Sequence, residues 1–242
     1  MSLRLHVLGG ALLVATATAV AVPAQAAAAT CHGRTVTVNL NLGQSPTAGN
    51  DVILGTSHGD SIGAREGNDW VCAGGGNDKI SGGPGNDTIW GEGNDDQIAG
   101  NSGNDWISGG TGDDGLDPGT GGDTLTGDSG ADGLSFLYAT HYVVVDLADR
   151  DPQASGIGYK TLRDRFEALW GSNYSDKLYG TSSADFIIGF SGNDVISGRE
   201  GNDQLFGYKG DDALKGGSGT DGCDGGTGDD TSSSCEVRHS IP

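Results

Sequence analysis

The feature that most constrains this chain is an aspartate that returns every nine residues. Ten nine-residue units follow one another without a gap from residue 46 to residue 135, and the same period resumes at residue 171. Numbering each unit from one to nine places 17 of the 33 acidic residues at position six. A disordered acidic chain, which 46 glycines and a net charge of −20 alone would allow, does not keep such a phase. The position-six residues are Asp51, Asp60, Asp69, Asp78, Asp87, Asp96, Asp105, Asp114, Asp123, Asp132, Asp176, Asp185, Asp194, Asp203, Asp212, Asp221 and Asp230.

The rest of each unit predicts a turn followed by a short strand. Position four is usually glycine and position five often asparagine, which tolerate the positive φ of a tight turn. Position eight is aliphatic in nearly every unit, so one side chain per unit faces a core. Two units are needed to close one coil, and units n and n+2 then stack at the strand spacing of about 4.8 Å. The pattern predicts a flattened parallel solenoid.

Stacking places the aspartates above one another and calls for a cation. Carboxylates about 5 Å apart repel by roughly 3 kcal/mol per pair at an effective dielectric constant near 20. A cation between successive coils would reverse the sign of this energy. Calcium accepts six to eight carboxylate and carbonyl oxygens in flexible geometry, whereas magnesium needs a stricter octahedron, so calcium is the better fit.

Two stretches carry a resemblance to a known family. Residues 96–114 read DQIAGNSGNDWISGGTGDD and residues 203–221 read DQLFGYKGDDALKGGSGTD. They resemble the RTX, or haemolysin-type, calcium-binding repeat, Gly-Gly-x-Gly-x-Asp-x-aliphatic-x. The resemblance implies an all-β fold, a right-handed parallel β-roll with two repeats per coil, holding several Ca²⁺ ions. It implies these side-chain ligands: Asp51, Asp69, Asp78, Asp87, Asp96, Asp105, Asp114, Asp123, Asp132, Asp194, Asp203, Asp212, Asp221 and Asp230.

Some units depart from the family pattern. Glycine is missing at position four before Asp60, Asp176 and Asp185, and we expect these turns to close without metal. In the unit 91–99 the turn is shifted by one residue, so that either Asp95 or Asp96 is the expected ligand.

The chain divides into six predicted parts. Residues 136–170 interrupt the period; we expect continued β-coils with an extruded loop near 149–160, or alternatively a short helix over 161–170. The alternating stretch 35–42 predicts a strand that covers the open end of the solenoid. The parts are a signal peptide (1–26), an N-terminal capping strand (27–45), a first calcium-binding block (46–135), the interruption (136–170), a second calcium-binding block (171–233) and a C-terminal cap (234–242).

The N-terminus predicts export. Arg4 precedes an apolar run that ends in a small-x-small site near Ala26, which favours a cleaved signal peptide over a membrane anchor because the run is short. We therefore expect a secreted protein without a membrane span. Export makes the four cysteines candidates for disulfides. The pairs Cys31–Cys72 and Cys223–Cys235 are favoured because each would staple one end, with zinc binding as the alternative.

The sequence predicts no enzyme. The Gly55–Gly59 stretch matches a nucleophile elbow, but the helix that should follow it is missing and the residues are ordinary repeat positions. The acidity argues against a nucleic-acid partner.

Three tryptophans suggest a further surface. Trp70, Trp90 and Trp106 are predicted to lie on one sheet face, where they either pack across strands or form a platform for a glycan or protein partner.

The expected function is that of a secreted calcium-binding protein that folds on binding. The alternatives are an adhesin with structural calcium and a detached secretion module of a toxin or protease.

Overall fold

A computed structural model describes residues 28–151 and 153–239 of this chain, and the expected signal peptide lies outside that part. The described residues form strands joined by turns, with one 3-10 segment at Leu40–Leu42. The strands are β1 (Thr30–Cys31), β2 (Arg34–Thr35), β3 (Val38–Asn39), β4 (Val52–Thr56), β5 (Ser61–Gly63), β6 (Trp70–Gly75), β7 (Lys79–Pro84), β8 (Thr88–Gly93), β9 (Gln97–Ser102), β10 (Trp106–Thr111), β11 (Gly115–Asp117), β12 (Asp123–Ser129), β13 (Gly133–Ser135), β14 (Val144–Asp146), β15 (Gln153–Ser155), β16 (Gly158–Leu162), β17 (Ala168–Trp170), β18 (Lys177–Tyr179), β19 (Phe186–Ser191), β20 (Val195–Glu200), β21 (Gln204–Lys209), β22 (Ala213–Ser218), β23 (Gly222–Thr227), β24 (Thr231–Ser233) and β25 (Val237–His239).

The repeats stack as a parallel β-solenoid, which confirms the all-β prediction. Each strand within a repeat block pairs in parallel with the strand two units later, as in the register Ile53↔Val71↔Ile89. Odd and even units therefore lie on opposite faces. A ten-stranded sheet, the continuous sheet, runs from β5 through both blocks to β25. It faces the N-terminal sheet (β3, β4, β6, β8, β10, β12, β16 and β15) in the first half and the C-terminal sheet (β14, β18, β20, β22 and β24) in the second.

The core is built from position eight of each unit. These side chains point into the narrow space between the facing sheets, and each is at most 3 % exposed. Burying one such side chain stabilises the fold by about 1.5–3 kcal/mol. The aliphatic members are Ile53, Ile62, Val71, Ile80, Ile89, Ile98, Ile107, Leu116, Leu125, Leu134, Leu178, Ile187, Ile196, Leu205 and Leu214.

The interruption continues the coils rather than forming a helix. β16 extends the N-terminal sheet beside β12, β17 extends the continuous sheet between β13 and β19, and β14 begins the C-terminal sheet. The region 149–160, which we expected to be a loop, contains regular structure, because β15 folds back on β16 as an antiparallel hairpin. Gln153 anchors this hairpin by accepting a hydrogen bond from the Asp146 N–H and donating one to the Asp146 carbonyl, at 2.6 and 2.7 Å.

The N-terminal segment is more broken than the single strand expected over 35–42. β3 pairs in parallel with β4 at the edge of the N-terminal sheet but is only two residues long. The strand ends early because polar side chains accept hydrogen bonds from backbone N–H groups of this segment. The Asn39 side chain accepts from the Asn41 N–H at 3.0 Å, and the Gln44 side chain accepts from the Asn39 N–H at 2.7 Å.

Both expected disulfides are confirmed. Cys31 is bonded to Cys72, with Cα atoms 5.8 Å apart, and Cys223 is bonded to Cys235, with Cα atoms 6.0 Å apart. The first joins β1 to the N-terminal sheet, and the second ties the segment after the last repeat to the core. Among the described residues, no helix has both the length and the apolar character needed to cross a bilayer.

Candidate metal sites

The position-six aspartates form three ladders along the solenoid. Every ligand predicted from the sequence lies in one of them and is at most 6 % exposed. The N-terminal ladder contains Asp51, Asp69, Asp87, Asp105 and Asp123. The C-terminal ladder contains Asp176, Asp194, Asp212 and Asp230. The long ladder beside the continuous sheet contains Asp60, Asp78, Asp96, Asp114, Asp132, Asp185, Asp203 and Asp221.

One oxygen of each laddered carboxylate is used by the backbone. The N–H of Asp87 donates to Oδ1 of Asp105 at 2.8 Å, and the same bond recurs between stacked aspartates within each block. A second ladder at position five runs in the opposite sense, since the N–H of Asn104 donates to Oδ1 of Asn86 at 2.7 Å. These bonds hold stacked turns in register and leave the second carboxylate oxygen, Oδ2, for another partner.

In four turns, which we call closed turns, the protein itself supplies that partner. The residue at position two is Ser or Thr, and its N–H donates to Oδ2 of the aspartate four residues later. In the turn of Asp176, the Ser172 N–H donates at 2.6 Å and the Ser172 hydroxyl donates to the same carboxylate. The closed turns are those of Asp51, Asp60, Asp176 and Asp185. Three of them are the turns expected to close without metal; Asp51 was not expected among them.

In the other thirteen turns, which we call open turns, position two has a left-handed backbone. The φ of Arg65 is 84° and that of Tyr208 is 75°, values that bulky residues adopt only at a cost of about 1–3 kcal/mol. In eleven open turns Oδ2 is buried without a hydrogen-bond partner among the described residues. These eleven carboxylates are Asp69, Asp78, Asp87, Asp96, Asp105, Asp114, Asp194, Asp203, Asp212, Asp221 and Asp230. The remaining two open turns hold Asp123 and Asp132.

The glycines of an open turn keep space around these oxygens. Gly103, at position four, has φ 139°, and a Cβ there would collide with the Gly85 carbonyl oxygen of the coil below. A Cβ at Gly100, at position one, would lie 2.5 Å from Oδ2 of Asp105. Glycine at position four therefore leaves room for a position-four carbonyl of the coil below, and glycine at position one leaves room for Oδ2 of its own turn.

One open turn shows which atoms a positive charge contacts. Oδ2 of Asp123 lies 2.6 Å from Nζ of Lys160, which also donates to the Gly121 carbonyl at 2.9 Å. Gly121 is position four and Asp123 is position six of the same turn. An ammonium group thus fits against the two kinds of oxygen that border the other open turns.

Two glutamates also occupy ladder positions and were not predicted. Glu167 Oε2 accepts from the Asp132 N–H at 2.8 Å, and Glu236 Oε2 accepts from the Asp221 N–H at 2.7 Å. The spacing Glu167-x-Leu169 matches the Asp-x-aliphatic spacing of a repeat and is a signal that could have been used. In the shifted turn of unit 91–99, Asp96 is buried in the ladder and Asp95 is exposed.

Burial raises the pKa of the open-turn carboxylates from Asp69 to Asp132 and from Asp194 to Asp212. Bonds from the backbone N–H groups oppose the shift, and neighbouring carboxylates add to it. The pKa rises to about 7 at Asp105, Asp114 and Asp194. It rises to about 6 at Asp87, Asp96, Asp132 and Asp203. Metal-free ionised carboxylates are therefore costly in this fold, and a cation would relieve that cost.

The tryptophan face is partly covered by the protein itself. The rings of Trp70 and Trp106 each lie 5.1 Å from the ring of Trp90. His32 stacks on Trp90 at 4.0 Å, and the Arg34 guanidinium lies 3.6 Å from the centre of the Trp70 ring. These contacts favour packing across strands over an open platform.

Comparisons with known proteins agree with this geometry. A family model described as RTX calcium-binding nonapeptide repeat (4 copies) matches residues 47–71, 73–105, 90–125, 170–205 and 197–231. The matches together cover more than half of the chain. No curated protein matches it.

Proposed function

Because this chain belongs to the RTX calcium-binding nonapeptide repeat family, we propose that it is a secreted protein whose open turns bind calcium between successive coils and whose folding is coupled to that binding. The observation that carries the proposal is the set of eleven buried Oδ2 atoms without a hydrogen-bond partner among the described residues. A buried charged oxygen without a partner is costly. A cation that completes each of these open turns would account for the repetition of this costly oxygen along three ladders.

The proposed ligands are these eleven aspartates together with Asp132. Asp132 also lies in an open turn, and the charge of the neighbouring Glu167 adds to the burial that raises its pKa. We leave Asp51 outside the set because Thr47 donates its N–H to Oδ2 of Asp51 at 2.7 Å. We leave Asp123 outside because Lys160 already contacts its Oδ2.

Calcium suits these turns because the groups that we identify there among the described residues, Oδ2 and the position-four carbonyl, are oxygens. Carboxylates and backbone carbonyls in flexible geometry are the usual ligands of calcium. When bound, the ion supplies positive charge between like-charged turns. The protein's own part is to hold Oδ2 and the position-four carbonyl in place, through the Oδ1 ladder and the glycines.

The proposed export rests on two features. The predicted signal peptide over 1–26 lies outside the described residues and stays a prediction. The two disulfides are typical of proteins from oxidising compartments.

A calcium titration of the purified protein followed by circular dichroism tests the proposal. Coupled folding predicts little β-sheet signal in excess chelator and a cooperative gain on adding calcium, with magnesium at the same concentration producing much less. A full β-sheet signal in chelator would contradict the coupling. If neither the signal nor the thermal unfolding midpoint responded to calcium, the binding proposal itself would fail.

The adhesin alternative needs a surface that a partner can reach. The tryptophan face is the candidate, yet His32 and Arg34 contact two of its three rings. We therefore propose calcium binding without assigning a glycan, and a glycan array with and without calcium would detect one.

A further inference from the structure

Lys160 is a buried cation that stands at the end of the N-terminal ladder. Its side chain is only 3 % exposed, and that of Asp123 is fully buried. β16 pairs in parallel with β12 so that Lys160 lies opposite Asp123. In the coils below, the residue at this place is the aspartate of the next stacked turn, as Asp105 precedes Asp123. A lysine thus replaces the next carboxylate of the ladder.

The lysine side chain extends back toward the oxygens of the 119–123 turn. Nζ contacts Oδ2 of Asp123 at 2.6 Å and donates to the Gly121 carbonyl at 2.9 Å. The corresponding Oδ2 of Asp105, one coil below, has no hydrogen-bond partner among the described residues. Oδ1 of Asp123 keeps its ladder bond from the Asp105 N–H at 2.8 Å. The 119–123 turn therefore differs from the turn one coil below, because the chain supplies a partner for its Oδ2.

We propose that the Lys160 ammonium takes the place of a calcium ion at the 119–123 turn, so that this turn is completed by the chain itself and binds no calcium. The inference rests on the proposed function, because it assumes that calcium occupies the other open turns. Lys160 and Asp123 together carry no net charge, and the lysine uses the oxygens that an ion would need. A calcium ion placed beside the ammonium would also be repelled by it.

The position of Lys160 in the chain gives this substitution a physical reason. The first block of repeats ends at residue 135, so no eleventh unit follows to stack an aspartate on Asp123. Instead the β15–β16 hairpin returns the chain to this edge, and the contact joins residues 37 positions apart. A covalently attached cation completes the last turn of the ladder whether calcium is present or absent.

The number of calcium ions bound at saturation tests the inference, measured by equilibrium dialysis with metal analysis. Asp105→Asn removes the carboxylate one coil below and is expected to lose one ion. Asp123→Asn is expected to lose none, because no ion is bound there. A loss of one ion in Asp123→Asn would overturn the inference. If Asp105→Asn lost no ion, the proposed function rather than the lysine substitution would fail.

Two further variants keep the test decisive if Asp123→Asn folds poorly. Asp123→Asn combined with Lys160→Gln leaves neither charge buried alone, and it is expected to bind as many ions as the wild type. Lys160→Gln by itself frees Oδ2 of Asp123 and is expected to bind one ion more. The exposed Lys177, at the start of β18, provides the control Lys177→Gln, which is expected to leave the number unchanged. A Lys160→Gln variant with the wild-type number of ions would contradict the substitution.

Discussion

At position six of the repeats, identical aspartates have different environments because of the residue four positions earlier. In the turn of Asp185 the Thr181 N–H donates to Oδ2 at 2.6 Å and the Thr181 hydroxyl donates to the same carboxylate. In the turn of Asp203 the corresponding residue is Arg199, with φ 82°, and Oδ2 has no hydrogen-bond partner among the described residues. The proposed metal ligands are thus distinguished by the backbone of position two as well as by their own identity.

This difference predicts unequal effects of two neighbouring substitutions in the long ladder. Asp203→Asn removes the charge from an open turn, and we expect it to reduce the number of bound calcium ions by one. It should also lower the unfolding midpoint in calcium. Asp185→Asn, one coil earlier in a closed turn, should leave the number of ions unchanged. Isothermal titration calorimetry on both variants measures this, and equal losses would contradict the distinction between open and closed turns.

At the scale of elements, the β1–β2 hairpin covers the tryptophan face. β1 and β2 are only two residues each, and a pair of such strands has little stability alone. The hairpin is held by the Cys31–Cys72 disulfide, by His32 on Trp90 and by Arg34 on Trp70. The disulfide and the aromatic contacts therefore act together to close this end of the solenoid.

Removing this disulfide should expose the tryptophans. The Cys31→Ser/Cys72→Ser variant opens a link that spans 41 residues, and we expect a loss of about 2–4 kcal/mol in the free energy of unfolding. Tryptophan emission should shift to longer wavelength as the hairpin leaves the rings. The matched control is Cys223→Ser/Cys235→Ser, whose link spans 12 residues at the other end. This control variant should lower the free energy of unfolding without shifting the tryptophan emission. An unchanged emission spectrum in Cys31→Ser/Cys72→Ser would argue against a hairpin that covers the tryptophan face.

Across the whole molecule, the unpartnered Oδ2 atoms fall into two groups, separated by a region in which the chain itself supplies the Oδ2 partner of three of the four laddered aspartates. Asp123 contacts Lys160, and Asp176 and Asp185 lie in closed turns. The unpartnered Oδ2 atoms lie on either side of this region, from Asp69 to Asp114 and from Asp194 to Asp230. These eleven aspartates are a third of the 33 acidic residues of a chain whose formal net charge is −20.

The raised pKa values predict how pH changes the stability of the metal-free protein. The pKa of Asp105 and Asp194 rises from the model-peptide value of 3.8 to about 7 because of burial, so the folded state binds protons that the unfolded state releases. Stability should therefore be greatest at low pH and fall as pH rises from about 4 to about 7. In excess chelator, the β-sheet signal measured by circular dichroism should therefore be stronger at pH 5 than at pH 8.

Calcium should reverse part of this trend, because protons compete with the ion for the same carboxylates. The gain in β-sheet signal on adding calcium should be larger at pH 8 than at pH 5. Repeating the chelator series at about 1 M salt, where the screening length is about 3 Å, removes the contribution of exposed charges. A metal-free protein that is more stable at pH 8 would contradict the effect of the buried carboxylates.

Much of the fold and of the candidate sites follows from the period of the sequence. Two units of nine residues make one coil, so residues 18 apart, such as Asp87 and Asp105, stack, and Ile89 and Ile107 share one core. The eighteen-residue register, three of the four closed turns and the two disulfides could all be predicted from local spacing and the ends of the repeats. Asp51 was grouped with the ligands because its glycine at position four matches the family, whereas its Thr47 decides the turn.

The tertiary structure alone decided where the interruption returns the chain. It places Lys160 against Asp123 and Glu167 against Asp132, contacts between residues 37 and 35 positions apart that no repeat period links. The amino-acid sequence by itself determined a solenoid with ladders of carboxylates, since that needs only a regular period. Which carboxylates meet Lys160 and Glu167 depends on how the interruption packs against the first block, and packing rather than periodicity sets those contacts.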